Sequence, residues 1–193
     1  MRFGIKMMAA AFLAAATPVA AEPASEWQLV ARCGGFLEAP TRLPSGDLAV
    51  NDPVGGRLLR IDADGQCHVW WRGDDLPNGQ ALTADGTLIV ARRGGLMRVD
   101  PATGQATTLV DSFEGQPLSI ANDLAIDRYG GIYFTVPGQS SYLRQDGRVF
   151  YLPVGAREPD LVASGLAFPN GIAVAPDGNS IRVAEFGAKR IIS

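Results

Sequence analysis

The stretch FPNGIAVAPDGNSIRVAEFG, Phe168–Gly187, reads as two apolar strands joined by a Pro-Asp-Gly turn. An amide, Asn170, stands at the mouth of the first strand. Asn-Gly is ordinarily a hairpin turn, yet here the next turn follows only a few residues later. Three other segments share the pattern: EAPTRLPSGDLAVND from Glu38, NGQALTADGTLIVAR from Asn78 and NDLAIDRYGGIYFTV from Asn122. Each holds a short apolar strand, a glycine-containing turn and a second β-rich strand. The starting residues are spaced by 40, 44 and 48 positions.

A third strand follows in each of the first three units, as RLLRID, GLMRVD and SYLRQD, and each ends at an Asp-led turn. A fourth follows as HVWWRG, ATTLV and DLVAS. Four strands per repeat of this length is the signature of a β-propeller blade. No helical periodicity competes with it outside the N-terminus. Residues 38–193 therefore hold three blades and the start of a fourth, with KRIIS in that blade's third strand. WQLVARC, just ahead of Glu38, reads as an outer strand with no blade of its own. The chain reads as the first half to two thirds of a longer propeller. By itself it is expected not to be a competent enzyme.

The first strand of a propeller blade lines the central channel, so the strand mouths of different blades face one point. That brings together Glu38, Asn78, Asn122 and Asn170. One carboxylate and three amides offer hard oxygen ligands suited to a divalent cation such as calcium, magnesium or manganese. The turn-forming alternative for Asn78 and Asn170 does not extend to Asn122, which is followed by Asp123. The second strands run back to the same face and end at Asp52, Arg92, Val136 and Glu185, whose three polar side chains are candidates for a supporting shell or for substrate contact. His68, the single histidine, falls on an outer strand, so no histidine-based triad or zinc centre is available.

Composition excludes some partners. The net charge is −3, and the 15 arginines and 2 lysines are scattered rather than clustered. Nucleic acid binding has no basic face to rest on. The first residues, MRFGIK followed by an Ala-rich apolar run and Val19-Ala20-Ala21, read as a signal peptide over 1–21 with cleavage after Ala21. Export to a bacterial periplasm follows, leaving 22–193 as the partial propeller and no membrane span after processing. Export invites a disulfide between Cys33 and Cys67, but blade register argues against it. Cys33 lies five residues before its strand mouth and Cys67 eleven before its own. At a strand rise of about 3.3 Å that offset is roughly 20 Å, beyond the ~7 Å limit of a disulfide.

With these residues in view, the chain resembles the SMP-30/gluconolactonase/LRE-like family of six-bladed propellers over most of 36–193. The matching pieces are the Glu38 entry, ANDLAIDRYGGIYFT and FPNGIAVAPDGNSIRVAE. The last is also similar to a segment of paraoxonases and strictosidine synthase-like proteins. The resemblance implies an all-β six-bladed propeller, here ending after about three and a half blades. It implies a divalent cation, often calcium, in the channel, and hydrolysis of a small lactone. By position it makes Glu38, Asn122 and Asn170 metal ligands. Asn122 also matches a substrate residue of some subfamilies, and Asn78 a channel residue near the substrate. Asp52 and Arg92 remain candidate substrate contacts. Asp123 and Glu185 are local candidates for proton transfer, with the principal base expected beyond Ser193. Departures stand at Val136, where an acid is common, at Ile120, where animal sugar-lactone binders carry arginine, at Asn78 and Lys189, where paraoxonases have histidines, and at Ala39, where they have an acid. A ligand-binding propeller without turnover and a strictosidine synthase-like enzyme are the alternatives.

Overall fold

The computed structural model describes residues 27–139 and 143–193. The signal peptide read over 1–21 lies outside them. The fold is an all-β propeller of four blades. Blade 1 contains β1 (Glu38–Arg42), β2 (Leu48–Asp52), β3 (Arg57–Ile61) and β4 (Cys67–Arg72). Blade 2 contains β5 (Gln80–Leu82), β6 (Leu88–Arg92), β7 (Gly95–Val99) and β8 (Ala106–Val110). A small hairpin follows, β9 (Ser112–Phe113) and β10 (Gln116–Pro117). Blade 3 contains β11 (Leu124–Ile126), β12 (Ile132–Val136), β13 (Gly147–Leu152) and β14 (Asp160–Leu166). Blade 4 contains β15 (Pro169–Val174), β16 (Ile181–Glu185) and β17 (Arg190–Ile192). Each blade is an antiparallel meander with strands hydrogen-bonded in chain order. Among the described residues no helix is long and apolar enough to cross a membrane.

One turn recurs between the first and second strands of all four blades. The amides of Gly46, Gly86, Gly130 and Gly178 donate to the carbonyls of Leu43, Thr83, Asp127 and Ala175, at 2.8 to 3.1 Å. All four glycines have positive φ, between 72° and 93°. That conformation is open to glycine and strained for most other residues, which is why the turn keeps its place in every repeat.

The core lies between blades rather than within a separate layer. Ala49 and Leu58 of blade 1 meet Leu88, Val90 and Met97 of blade 2. Ile89 and Leu96 meet Phe134 and Phe150 of blade 3. Val149 and Leu166 meet Ile172 and Val183 of blade 4. The middle strands are thus buried on both faces, so β6 reads as the nearly unbroken apolar run LIVAR.

Three expectations need correction. Trp27–Cys33 form no strand. The segment crosses the β3–β4 turn, where the Val30 carbonyl packs against Gly65. Cys33 then meets Cys67 in a disulfide with Cα atoms 5.6 Å apart. Strand rise does not set the Cys33–Cys67 separation, because Cys33 is not in a strand and its distance from Glu38 is not measured along one. The third strand of blade 3 is Gly147–Leu152, not SYLRQD: Leu143–Asp146 are irregular, and Ser141 and Tyr142 lie outside the described residues. Gly147–Leu152 wins because it buries Val149, Phe150 and Leu152 against neighbouring blades.

Candidate functional site

The strand mouths are stitched together at one end of the channel. Gly79 N donates to Asn122 O at 2.7 Å, joining blades 2 and 3. Thr135 Oγ1 donates to Asn170 O at 2.8 Å, joining blades 3 and 4. Asn51 Nδ2 donates to Asn78 O, joining blades 1 and 2. Each of the three mouth asparagines therefore has its carbonyl held by the neighbouring blade. Asn51 and Thr135 occupy the same register, one residue before the end of the second strand, and both are fully buried. Neither is among the residues expected at the site, and their signal in the sequence is a polar residue following an apolar run, in LAVND and IYFTV.

Asn78-Gly79 is not a turn. A Cβ on Gly79 would collide with the Cα and carboxylate of Asp123. Glycine is required there by the close approach of blade 3. Asp123 Oδ2 accepts from Ile172 N of blade 4 at 3.0 Å. One carboxylate thus touches blades 2 and 4 from blade 3. Burial raises the Asp123 carboxyl above the usual carboxylate range, against the pull of the Ile172 and Leu124 amides. Glu38 is raised as well, by burial and then by the negative charge of Asp123. Among the described residues neither acid forms an ion pair. Asn78 and Asn122 line a shared cavity of about 240 Å³ at this mouth, with Leu76, Ile120, Phe168 and Val54 around them. Asn170 borders a second, open hollow with Glu185 and Arg190.

The residues expected at the rim are differently employed. Asp52 is 1% exposed and accepts from Phe36 N, Gly55 N and Arg57 Nε at 3.1, 2.9 and 2.7 Å. Glu185, also 1% exposed, accepts from Ala167 N at 2.7 Å and from Arg190 Nε. In both, an acid ending the second strand clasps an arginine five residues on and an amide ahead of the first strand. Arg92 holds the same register in blade 2 with the charges exchanged, reaching Asp75 at 3.2 Å and Thr108 at 2.9 Å. Val136 is buried in the core. Asp52, Arg92 and Glu185 thus help to hold the blade edges, while Glu185 also borders the hollow beside Asn170 and Arg92 Nε is a buried donor without a hydrogen-bond partner among the described residues.

A family model described as SMP-30/Gluconolactonase/LRE-like region matches residues 37–193. The chain belongs to this family. A gluconolactonase of Zymomonas mobilis is 35% identical over 117 residues, covering 55% of this chain and 33% of that protein. The Arabidopsis thaliana protein STRICTOSIDINE SYNTHASE-LIKE 3 is 32% identical over 117 residues, covering 54% and 28%. The solved structure of a gluconolactonase from Xanthomonas campestris superposes with a TM-score of 0.74 at 28% identity, covering 84% of this chain and 59% of that one. The chain spans about a third of the length of these curated relatives.

In this SMP-30-like propeller the groups at the strand mouths that could hold a divalent cation are the Glu38 and Asp123 carboxylates and the amide oxygens of the asparagines. Asn51 Oδ1, on the strand residue paired with Glu38, is a buried acceptor with no hydrogen-bond partner among the described residues. Among the described residues no cluster of three or more acidic, histidine or cysteine side chains forms a ready-made metal site.

Proposed function

We propose that the protein is an exported, divalent-cation-dependent hydrolase of small lactones. The observation that carries this reading is the closeness of the Glu38 and Asp123 carboxylates among the mouth asparagines, with no ion-pair partner for either among the described residues. Glu38, Asn122 and Asn170 would hold the cation, calcium being the expected one. When bound it would polarise the lactone carbonyl and stabilise the developing oxyanion. Asn78 and Asn122 line the adjoining cavity, and their amides orient the ring oxygens of the substrate by hydrogen bonding. Asp123 is, within these four blades, the carboxylate best suited to take a proton from the attacking water. Its buried carboxyl binds protons more strongly than an exposed one. Water oxygen bonds to the carbonyl carbon, the ring C–O bond breaks, and the proton passes to the departing alkoxide.

Export is part of the proposal. It rests on the 1–21 leader and is supported by the Cys33–Cys67 disulfide, which persists best in an oxidising compartment. The N-terminus of the purified protein should begin after Ala21. Turnover is tested with the full-length protein on γ- and δ-lactones, with calcium, magnesium or manganese and with chelator. Cation-dependent ring opening supports the reading. Tight binding of lactone with no ring opening under any cation would replace it with a ligand-binding propeller.

A further inference from the structure

The mouth residues are preceded by a second repeated feature. Two positions ahead of Glu38, Asn78, Asn122 and Asn170 stand Phe36, Leu76, Ile120 and Phe168. Each blade therefore offers one polar group and one bulky apolar group in fixed register. Leu76, Ile120 and Phe168 line the cavity that Asn78 and Asn122 also line. Val54, from the β2–β3 turn, joins them and is 80% exposed. Among the described residues no charged side chain lines this cavity. Arg92, the one base expected near substrate, is held away by Asp75 and Thr108.

Leu76 and Phe168 also carry a backbone signature. Their φ angles are 48° and 53°, in the left-handed region that bulky L-residues rarely occupy. Both precede proline and then Asn-Gly, so the strained residue is repeated along with the mouth asparagine. Such strain persists where the surroundings dictate it, and it gathers at functional sites. Asparagine or glycine would fit that backbone more easily. A large apolar side chain stands there in both blades.

We infer that the cavity receives the apolar substituent of the substrate, an alkyl or aryl group on a lactone ring whose oxygens face Asn78 and Asn122. This rests on the lactonase reading. A polyhydroxylated lactone would bury hydroxyls against Leu76, Ile120, Phe168 and Val54, where they find no partners. An alkyl chain loses nothing there and leaves water.

The test uses the full-length protein and δ-lactones with progressively longer ring alkyl groups, alongside glucono-δ-lactone. kcat/KM should rise about fourfold per methylene until the cavity fills. Glucono-δ-lactone should fall at least about a hundredfold below the best alkyl member. In Leu76→Asn and, separately, Ile120→Ser, each checked for native melting, the gain per methylene should shrink to less than about twofold. A preference for glucono-δ-lactone, or an undiminished chain-length dependence in both variants, overturns the inference. The matching alkyl δ-lactams, measured calorimetrically, separate this from the lactonase reading. If no lactone is opened but lactam affinity climbs with chain length and the variants abolish the climb, the apolar subsite stands and lactone hydrolysis falls. If lactones are opened but neither series depends on chain length, hydrolysis stands and the subsite falls. Absence of both turnover and lactam binding overturns both.

Discussion

The propeller treats two sets of acids in opposite ways, one pair buried and the other half-buried. Asp52 and Glu185, at the ends of second strands, are surrounded by donors. Burial alone would raise Asp52, but the Gly55 amide, the Arg57 guanidinium and the Phe36 amide together hold it below the usual range. Glu185 is lowered first by Arg190 and next by the Ala167 amide. Glu38 and Asp123, at the channel mouth, are raised, and no arginine answers them. A fold that can supply an arginine five residues from an acid in two blades leaves these two carboxylates without one. The first pair holds blade edges together. The second is raised in the folded chain, an arrangement that the proposed cation would relieve.

The largest effect expected from this contrast is at Glu38. Glu38→Gln removes an anionic donor and one of two neighbouring negative charges. Cation-dependent turnover should fall by at least about a hundredfold, because several kcal/mol of charge stabilisation go with the cation. Cation-free stability in urea should be unchanged or improved, because an ionised, raised acid costs the fold stability at neutral pH. A stability loss with turnover intact would show that Glu38 is a structural acid like Asp52, and the contrast would collapse.

The clasps should behave in reverse. Asp52→Asn and Glu185→Gln each remove the charge that holds a partly exposed arginine and weaken two or three hydrogen bonds. A loss of about 2–4 kcal/mol is expected, read as a lower urea midpoint at unchanged slope. The pH dependence has a definite sign. A carboxyl lowered in the folded state contributes stability above its ordinary range and loses it as pH falls through the lowered value. The wild-type protein should therefore shed stability on acidification below the usual carboxylate range, and each variant should shed less. An equally steep acid limb in both variants would assign that loss to other acids.

The difference between mouth and clasp was only partly legible in the sequence. The repeat, the turn glycines and the mouth residues were visible because they recur in linear register. Glu38, Asn78 and Asn122 can be compared by counting. The orientation of Asp52 and Glu185 could not be counted. They stand one position beyond Asn51 and Ala184 on strands whose successive side chains face opposite ways. Whether the last residue of the strand turns to the channel or to an arginine is settled in three dimensions. The same holds for Cys33. Counting positions placed it far from Cys67, but an irregular segment is not bound to a strand's rise. SYLRQD misled because it copies the RLLRID pattern, while the burial of Val149 and Phe150 decides where the strand forms.

The smallest and most discriminating effect is expected at Thr135. Its hydroxyl donates to Asn170 O at 2.8 Å and accepts from Asp123 N at 3.1 Å. It thus sets a mouth asparagine of blade 4 and the backbone beneath a raised acid of blade 3. Blade 2 has Ala91 at this register and holds Asn122 through Gly79 N instead, without a side chain. Thr135→Val keeps the shape and deletes both bonds, leaving a half-buried carbonyl and a half-buried amide without these partners. Stability should fall by about 1–2 kcal/mol. If Thr135 acts only in packing, cation affinity should stay as it was. If it positions the mouth, cation affinity should weaken by about ten- to a hundredfold, the range usual for groups that orient metal ligands. Thr135→Ser, which keeps the hydroxyl and loses the methyl, should restore affinity while remaining less stable than the wild type. Loss of affinity in the serine variant equal to that in the valine variant would show that the methyl group, not the hydroxyl, is what matters. The bridge from blade 3 to Asn170 would then belong with the clasps rather than with the site.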